Sequence, residues 1–293
     1  MMKTTNFITL PDGRKLAYAE FGQPDGHPVI YFHGGASSRL EPLLFDELIN
    51  KFALRFFAPD RPGIGQSDFQ PDRGFSDYPK DVVFLADTLG LDKFSVLGVS
   101  SGGGYVFACA AKIPDRLLSA VAVSGAWDMD SLKDLPMFSR WIYTLAKTFP
   151  ILFEVVIKLS LRPFQGSTEK LLASFKKQLP AVDYAVFQSP QRLQAIRESA
   201  IESMRQSTKN VAIDVLLYVY PWDFKAAEIQ IPVQLFHGEQ DTKVPISMAR
   251  RVVERLPTAR LTTYPNEGHI SIGINQFEAI AQALKNARNQ LDR

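Results

Sequence analysis

Gly98-Val99-Ser100-Ser101-Gly102 reads G-x-S-x-G, and its flanks decide what it means. Phe94-Ser95-Val96-Leu97 before it is short and β-prone, and Gly103 to Lys112 after it is small and apolar at helical spacing. A strand that turns at once into a helix presents the intervening serine at the end of a sheet, where its hydroxyl can attack a bound group. The glycines suit such a turn. One permits the sharp backbone path, and the other lets helix and strand approach without a Cβ between them. The pentapeptide alone arises by chance in about one chain in ten of this length, so the surrounding segments carry the decision.

Working outward, Phe7 to Phe21 reads as two strands around a turn at Pro11-Asp12-Gly13. Val29–Phe32 is a continuous apolar run, as expected of a strand buried on both faces. Glu41–Phe52 has helical periodicity, Leu54–Ala58 is a strand, and Ser76–Gly90 is a helix ended by its glycine. Ala120–Val123 is a further strand. From 127 to 225 the pattern becomes helical and rich in aromatics, with no convincing strand. Alternation then resumes with a strand at Val233–Phe236, a helix at Ser247–Leu256, a strand at Arg260–Tyr264 and a helix at Gln276–Asn286. Strands alternating with helices predict an α/β fold with a mostly parallel central sheet covered on both faces. The expected division is a core of 1–126 and 226–293, with 127–225 inserted over one face of the sheet.

Composition narrows the class. At 293 residues, 46% hydrophobic and 22% charged, the chain can bury a large core. A net charge of +2 makes no electrostatic case for nucleic acid or an anionic membrane. One cysteine, Cys109, excludes an intramolecular disulfide and suits a reducing compartment, so a cytoplasmic location is expected. The start of the chain shows no apolar secretory segment. The apolar stretch Phe149–Leu161 is interrupted by Pro150, Glu154 and Lys158, so no membrane span is expected. Neither metal-ligand spacing nor a phosphate-binding glycine loop is found, and no cofactor is implied. Oligomeric state is not legible.

Ligands of such sheets bind beyond the carboxyl ends of the strands, and the polar residues expected there form a set. Ser100 follows one strand, Asp241 another, and His269 a third, while His33-Gly34-Gly35 follows Val29–Phe32. A serine hydroxyl needs a base to take its proton during attack, and histidine, with an unperturbed pKa of about 6.5, suits that task. A carboxylate then fixes the imidazole tautomer and stabilises its cation. The order Ser, Asp, His is the one expected for a nucleophile elbow on this sheet. Asp128, which follows the strand at Ala120–Val123, and Glu239 compete with Asp241 for the acid. A developing oxyanion would meet the backbone N–H of Ser101 and one from the Gly34-Gly35 loop, with Gly35 preferred.

On these residues the chain resembles the α/β-hydrolase family from its N-terminal hairpin to its C-terminal helix. His33-Gly34-Gly35, Asp60-Arg61-Pro62-Gly63-Ile64-Gly65-Gln66-Ser67, Gly98–Gly102, Asp241 and His269 occur in family order. The resemblance implies Ser100 as nucleophile, His269 as base and Asp241 as orienting acid, with 127–225 at the position of the family's helical cap. It implies a structural role for the Asp60–Ser67 loop. Relatives acting on haloalkanes or epoxides carry an aspartate at the elbow, which argues against that chemistry here. The residues after Gly35, Ala36-Ser37-Ser38-Arg39, depart from the family's His-Gly-x-Pro pattern and leave the second oxyanion donor open.

The remaining candidates have plainer readings. His27 is expected in a solvated turn, His33 and His237 as structural residues, and Cys109 as a packed apolar residue. Trp127 and Ile270 are expected to contact substrate, and Phe149–Leu161 reads either as a moving lid helix or as a fixed packed one. Arg39, Arg61 and Arg140 are candidates to meet a substrate carboxylate. The activity expected is hydrolysis of small or medium apolar carboxylic esters through an acyl-enzyme. The same set also suits C–C, lactone or amide hydrolysis, or a ligand receptor that turns over slowly.

Overall fold

The structure, a computed structural model, describes residues 3–125 and 137–286. Among the described residues eight strands form one sheet: β1 (Lys3–Thr9), β2 (Lys15–Gly22), β3 (His27–Phe32), β4 (Leu54–Pro59), β5 (Phe94–Val99), β6 (Leu117–Val123), β7 (Val233–Gly238) and β8 (Ala259–Tyr264). Their order is β1-β2-β4-β3-β5-β6-β7-β8. Only β2 runs against its neighbours; β4, β3 and β5 to β8 are mutually parallel.

Parallel strands need covered crossovers, and the helices supply them. They are α1 (Asp46–Lys51), α2 (Tyr78–Thr88), α3 (Gly103–Lys112), α4 (Met137–Thr148), α5 (Pro150–Gln165), α6 (Thr168–Gln178), α7 (Ala181–Val186), α8 (Pro190–Ser203), α9 (Thr208–Leu216), α10 (Ile246–Arg255), α11 (Ser271–Asn275) and α12 (Phe277–Lys285). The continuous apolar runs in the central strands are divided by the two-residue period of the pleat. Ile30, Phe32, Val96, Ala120 and Ala122 face a core completed by α2, α3 and α10. Val29, Tyr31, Leu97, Val121 and Val123 face a second core completed by α1 and α12.

Six of the helices, α4 to α9, lie in the stretch between β6 and β7, and no strand occurs there among the described residues. Leu171, Val186, Phe187 and Leu193 of this stretch join the second core. The expected helix over Glu41–Phe52 is instead a 3-10 turn at Glu41–Phe45 followed by α1. His27 is not in a solvated turn. It opens β3, paired in register with Leu54, and its Nε2 is 2.8 Å from Ser95 Oγ. Its partners are 27 and 68 positions away, so no local signal marks it.

Candidate active site

Ser100 directly follows β5 with φ +53°, a left-handed conformation that costs a residue with a Cβ about 1–2 kcal/mol. The flanking glycines permit the elbow by absence. A Cβ on Gly98 would collide with the Gly102 carbonyl, and one on Gly102 with the Phe32 carbonyl. The turn therefore packs against β3 while projecting Ser100 beyond the sheet.

Two other strand ends converge on it. His269 lies between β8 and α11, with Nε2 2.9 Å from Ser100 Oγ. Its Nδ1 is 2.7 Å from Oδ2 of Asp241, in the loop between β7 and α10. A carboxylate accepts only, so Nδ1 carries the proton and Nε2 is left to accept from the serine hydroxyl. The Asp241 carboxylate is fixed on its other oxygen, where Oδ1 accepts from the N–H groups of Lys243 (2.8 Å) and Val244 (2.9 Å). His237 Nε2 donates to the Val244 carbonyl at 2.8 Å, which makes it a buttress for the same loop.

The electrostatics follow from burial and charge. Burial lowers the basicity of His269, but the charge and hydrogen bond of Asp241, reinforced by Asp183, outweigh it, so its pKa is raised. Burial pushes the Asp241 carboxyl up, and the charge and hydrogen bond of His269 more than offset this, so its pKa is lowered. His33 and His237 are held well below and below the ordinary histidine value respectively, chiefly by burial.

Opposite the histidine, the Gly34–Gly35 segment is held by side chains. The Gly34 N–H donates to Glu41 Oε2 at 2.8 Å, so Gly34 is not a free oxyanion donor, contrary to the sequence expectation that included it. The Gly34 carbonyl accepts from Arg61 Nη2 at 3.0 Å and lies 2.9 Å from His33 Nδ1. In a trans peptide the following N–H points away from that carbonyl, so the Gly35 N–H is directed away from Arg61. Gly35 lines the cavity together with Ser100 and Ser101.

Beneath this segment Arg61 pairs with Asp214 of α9 (2.7 Å), and Asp214 also accepts from Arg73 (2.6 Å) and the Tyr105 hydroxyl (3.0 Å). Arg61 also donates to the His33 carbonyl. Despite burial, the two guanidinium groups hold the Asp214 carboxyl far below the usual range. Arg39 is likewise buried, paired with Asp60 and with Glu202 of α8, both at 2.7 Å. Neither Arg39 nor Arg61 is therefore available to a substrate carboxylate, and Arg140 lies on the exposed side of α4. Lys243 is a cation that does line the cavity.

The cavity over Ser100 has a volume of about 470 Å³. Its floor is Gly35, Ser100, Ser101, His269 and Ile270; its walls include Tyr143, Leu161, Phe164, Phe175, Phe187 and Ile196. Trp127 and Asp128 lie outside the described residues. No cluster of three metal-ligating side chains occurs among the described residues. Sequence reasoning missed Asp183, whose carboxylate, entirely buried on α7, accepts from the N–H groups of His269 (3.0 Å), Ile270 (2.9 Å) and Ser271 (2.9 Å). It also missed Glu41 and Asp214. None of the three carries a local motif.

The sequence model for the alpha/beta hydrolase fold matches residues 27–275, which takes in every strand from β3 to β8 and all of the residues above. The chain belongs to the α/β-hydrolase fold family. A bifunctional esterase/perhydrolase from Acinetobacter calcoaceticus is 26% identical over 277 residues, 90% of this chain and 92% of that protein. A non-heme chloroperoxidase from Streptomyces lividans is 36% identical over 126 residues, so the match spans 40% of this chain and 43% of that relative. The solved structure of an esterase from Rhodococcus superposes with a TM-score of 0.65 at 18% identity, covering 96% of this α/β hydrolase and all of that chain. That likeness bears on the fold alone. No described helix of this hydrolase is long and apolar enough to cross a membrane.

Proposed function

We propose that this α/β hydrolase cleaves small or medium apolar carboxylic esters through a serine acyl-enzyme, with residues 127–225 acting as a cap that shapes the acyl pocket. The observation that carries the reading is the hydrogen-bonded line from Asp241 through His269 to Ser100, 2.7 and 2.9 Å long, opening into a largely apolar cavity. The esterase/perhydrolase relative, aligned over nine-tenths of the chain, supports the same reaction class.

In this reading Ser100 Oγ adds to the ester carbonyl carbon while its proton passes to His269 Nε2. The carbonyl electron pair moves onto oxygen, where the N–H groups of Ser101 and Gly35 stabilise it; one such donor is worth about 2.7–4 kcal/mol of barrier. Collapse expels the alkoxide, which leaves as the alcohol with the proton from His269. Water then attacks the acyl-enzyme, His269 takes its proton, and the carboxylic acid departs as Ser100 Oγ is re-protonated. Asp241 stabilises the imidazolium in both halves. Apolar walls exclude bulk water and select uncharged acyl groups.

The test is hydrolysis of p-nitrophenyl esters of increasing acyl length by the wild type and Ser100→Ala. Multiple turnover that falls by about 10⁴-fold or more in the variant is expected. Absence of turnover by the wild type on every ester refutes the ester reading. A single stoichiometric burst with no further turnover favours the receptor reading instead.

A further inference from the structure

The outer face of α4 and α5 is the least explained surface of the molecule. Met137, Trp141, Ile151, Leu152, Val155 and Leu159 are all exposed there, from 46% for Val155 to 83% for Ile151. Phe149, between the two helices, is 63% exposed. Most of the exposed large apolar side chains of the described residues thus fall within one 23-residue run, 137–159. Scattered exposed apolar residues need no explanation, whereas a concentrated patch marks a contact surface.

The spacing makes the patch a face. On α5, positions 151, 155 and 159 recur every fourth residue and 152 lies beside them, while Phe153 and Leu161 on the opposite side are buried. On α4, Met137 and Trp141 are four apart, and Ala146 turns inward to meet Phe153. Cations flank both stripes. Residues 137–165 hold Arg140, Lys147, Lys158 and Arg162 against one carboxylate, Glu154, a local net charge of +3 where the whole chain carries +2. All four cations are exposed, and Lys147 Nζ lies 5.8 Å from the ring centre of half-exposed Tyr220. The near-neutral total therefore conceals a basic, apolar face.

The charge pattern chooses among occupants. A second copy would meet this face with itself across a two-fold axis, bringing four cations against four with a single carboxylate on each side. An anionic lipid surface instead complements the cations and accepts the apolar side chains between them, the arrangement of helices that lie in a membrane interface. We propose that α4 and α5 dock this protein on anionic lipid bilayers, with Trp141 and the Ile151–Leu159 stripe inserted at head-group depth. Ile142, Tyr143, Ser160 and Leu161 of the same two helices line the cavity over Ser100, so docking brings the cavity wall to the lipid surface. The proposal does not depend on the ester reading.

Co-sedimentation with phosphatidylcholine vesicles and with vesicles containing about one-third phosphatidylglycerol tests it, using the full chain in wild type, Ser100→Ala, Ile151→Ser/Val155→Ser and Lys158→Glu/Arg162→Glu forms. Binding to the anionic vesicles is expected for wild type and Ser100→Ala alike, reduced at least ten-fold in both double variants and by high salt. Circular dichroism and thermal unfolding check that the double variants are folded. Failure of the wild type to sediment with anionic vesicles overturns the proposal. So does equal binding by the double variants, or a wild-type dimer by light scattering that becomes monomeric in Ile151→Ser/Val155→Ser without vesicle binding.

Discussion

Replacing Asp183 with asparagine tests whether the segment bearing His269 is positioned from α7. The carboxylate is fully buried and receives three consecutive backbone N–H groups, two on Oδ1 and one, from His269, on Oδ2. Asparagine keeps Oδ1 but turns its NH₂ toward the His269 N–H. One charge-assisted hydrogen bond is lost, and a buried donor is left facing another donor. A hydrogen bond to a charged group contributes about 1.5–3 kcal/mol, so a destabilisation of roughly 2–3 kcal/mol is expected. For a chain of this size that lowers Tm by roughly 3–5 °C. The variant also removes a negative charge that supports the histidine cation. Its pKa should fall, and the acid limb of kcat/KM should move to lower pH even as kcat drops. Thermal unfolding and a pH–rate profile on a p-nitrophenyl ester measure both effects. An unchanged Tm together with a stationary acid limb would refute the positioning argument. A fall in Tm with no movement of the limb would reduce Asp183 to a structural residue.

Two further outcomes follow from the buried charges. The pKa of His269 is raised in the fold, so its coupling to Asp241 contributes fully below the unfolded value, about 6.5, and fades as pH rises through the folded value. The stability gap between wild type and Asp241→Asn, read by urea unfolding, should therefore be larger at pH 6 than at pH 9, and the acid limb of activity should move to lower pH in the variant. Asp214→Asn leaves Arg61 and Arg73 buried without their carboxylate; breaking such a pair costs about 3–5 kcal/mol. Because Arg61 holds the His33 and Gly34 carbonyls, kcat should fall by more than KM changes, and an equal effect on both would contradict that link.

What the sequence made legible was the part whose signals are local. The strand-to-helix elbow around Ser100, the continuous apolar strands and the order of Ser100, Asp241 and His269 along the chain could all be read directly, and the structure brings those three side chains within hydrogen-bonding distance. The strand order was not written in any window, because β4 inserts between β2 and β3 through pairings of the whole sheet. Gly34 was misread for a related reason. A glycine after a strand offers a free N–H until a carboxylate seven residues on turns back to take it, as Glu41 does. Arg39 and Arg61 looked available because their partners Glu202 and Asp214 lie 163 and 153 positions away. Asp183 was invisible in the same sense, since its value comes from three N–H groups more than 80 positions away.

These distant contacts share a direction. Asp183, Glu202 and Asp214 belong to α7, α8 and α9, and each carboxylate is received by the core: the His269 segment, Arg39 and Arg61 respectively. Ser199 of α8 adds bonds to Ser37 and Ser38, and Asn210 of α9 donates to the Gly63 carbonyl. The buried pairs of Asp214 with Arg61 and Arg73 would have to separate before α7 to α9 could swing away as a body, and that would leave uncompensated ions behind. The packing of α4 and α5 is different in kind. Ala146 and Phe153 meet Ala212 and Val219 through apolar contact, and α5 is tied to α8 by Arg197 donating to the Phe164 and Gly166 carbonyls. Apolar surfaces slide at lower cost than buried ion pairs break. α4 and α5, the two helices whose outer faces carry the exposed apolar side chains, are therefore held to the rest of the fold by weaker ties than α7 to α9.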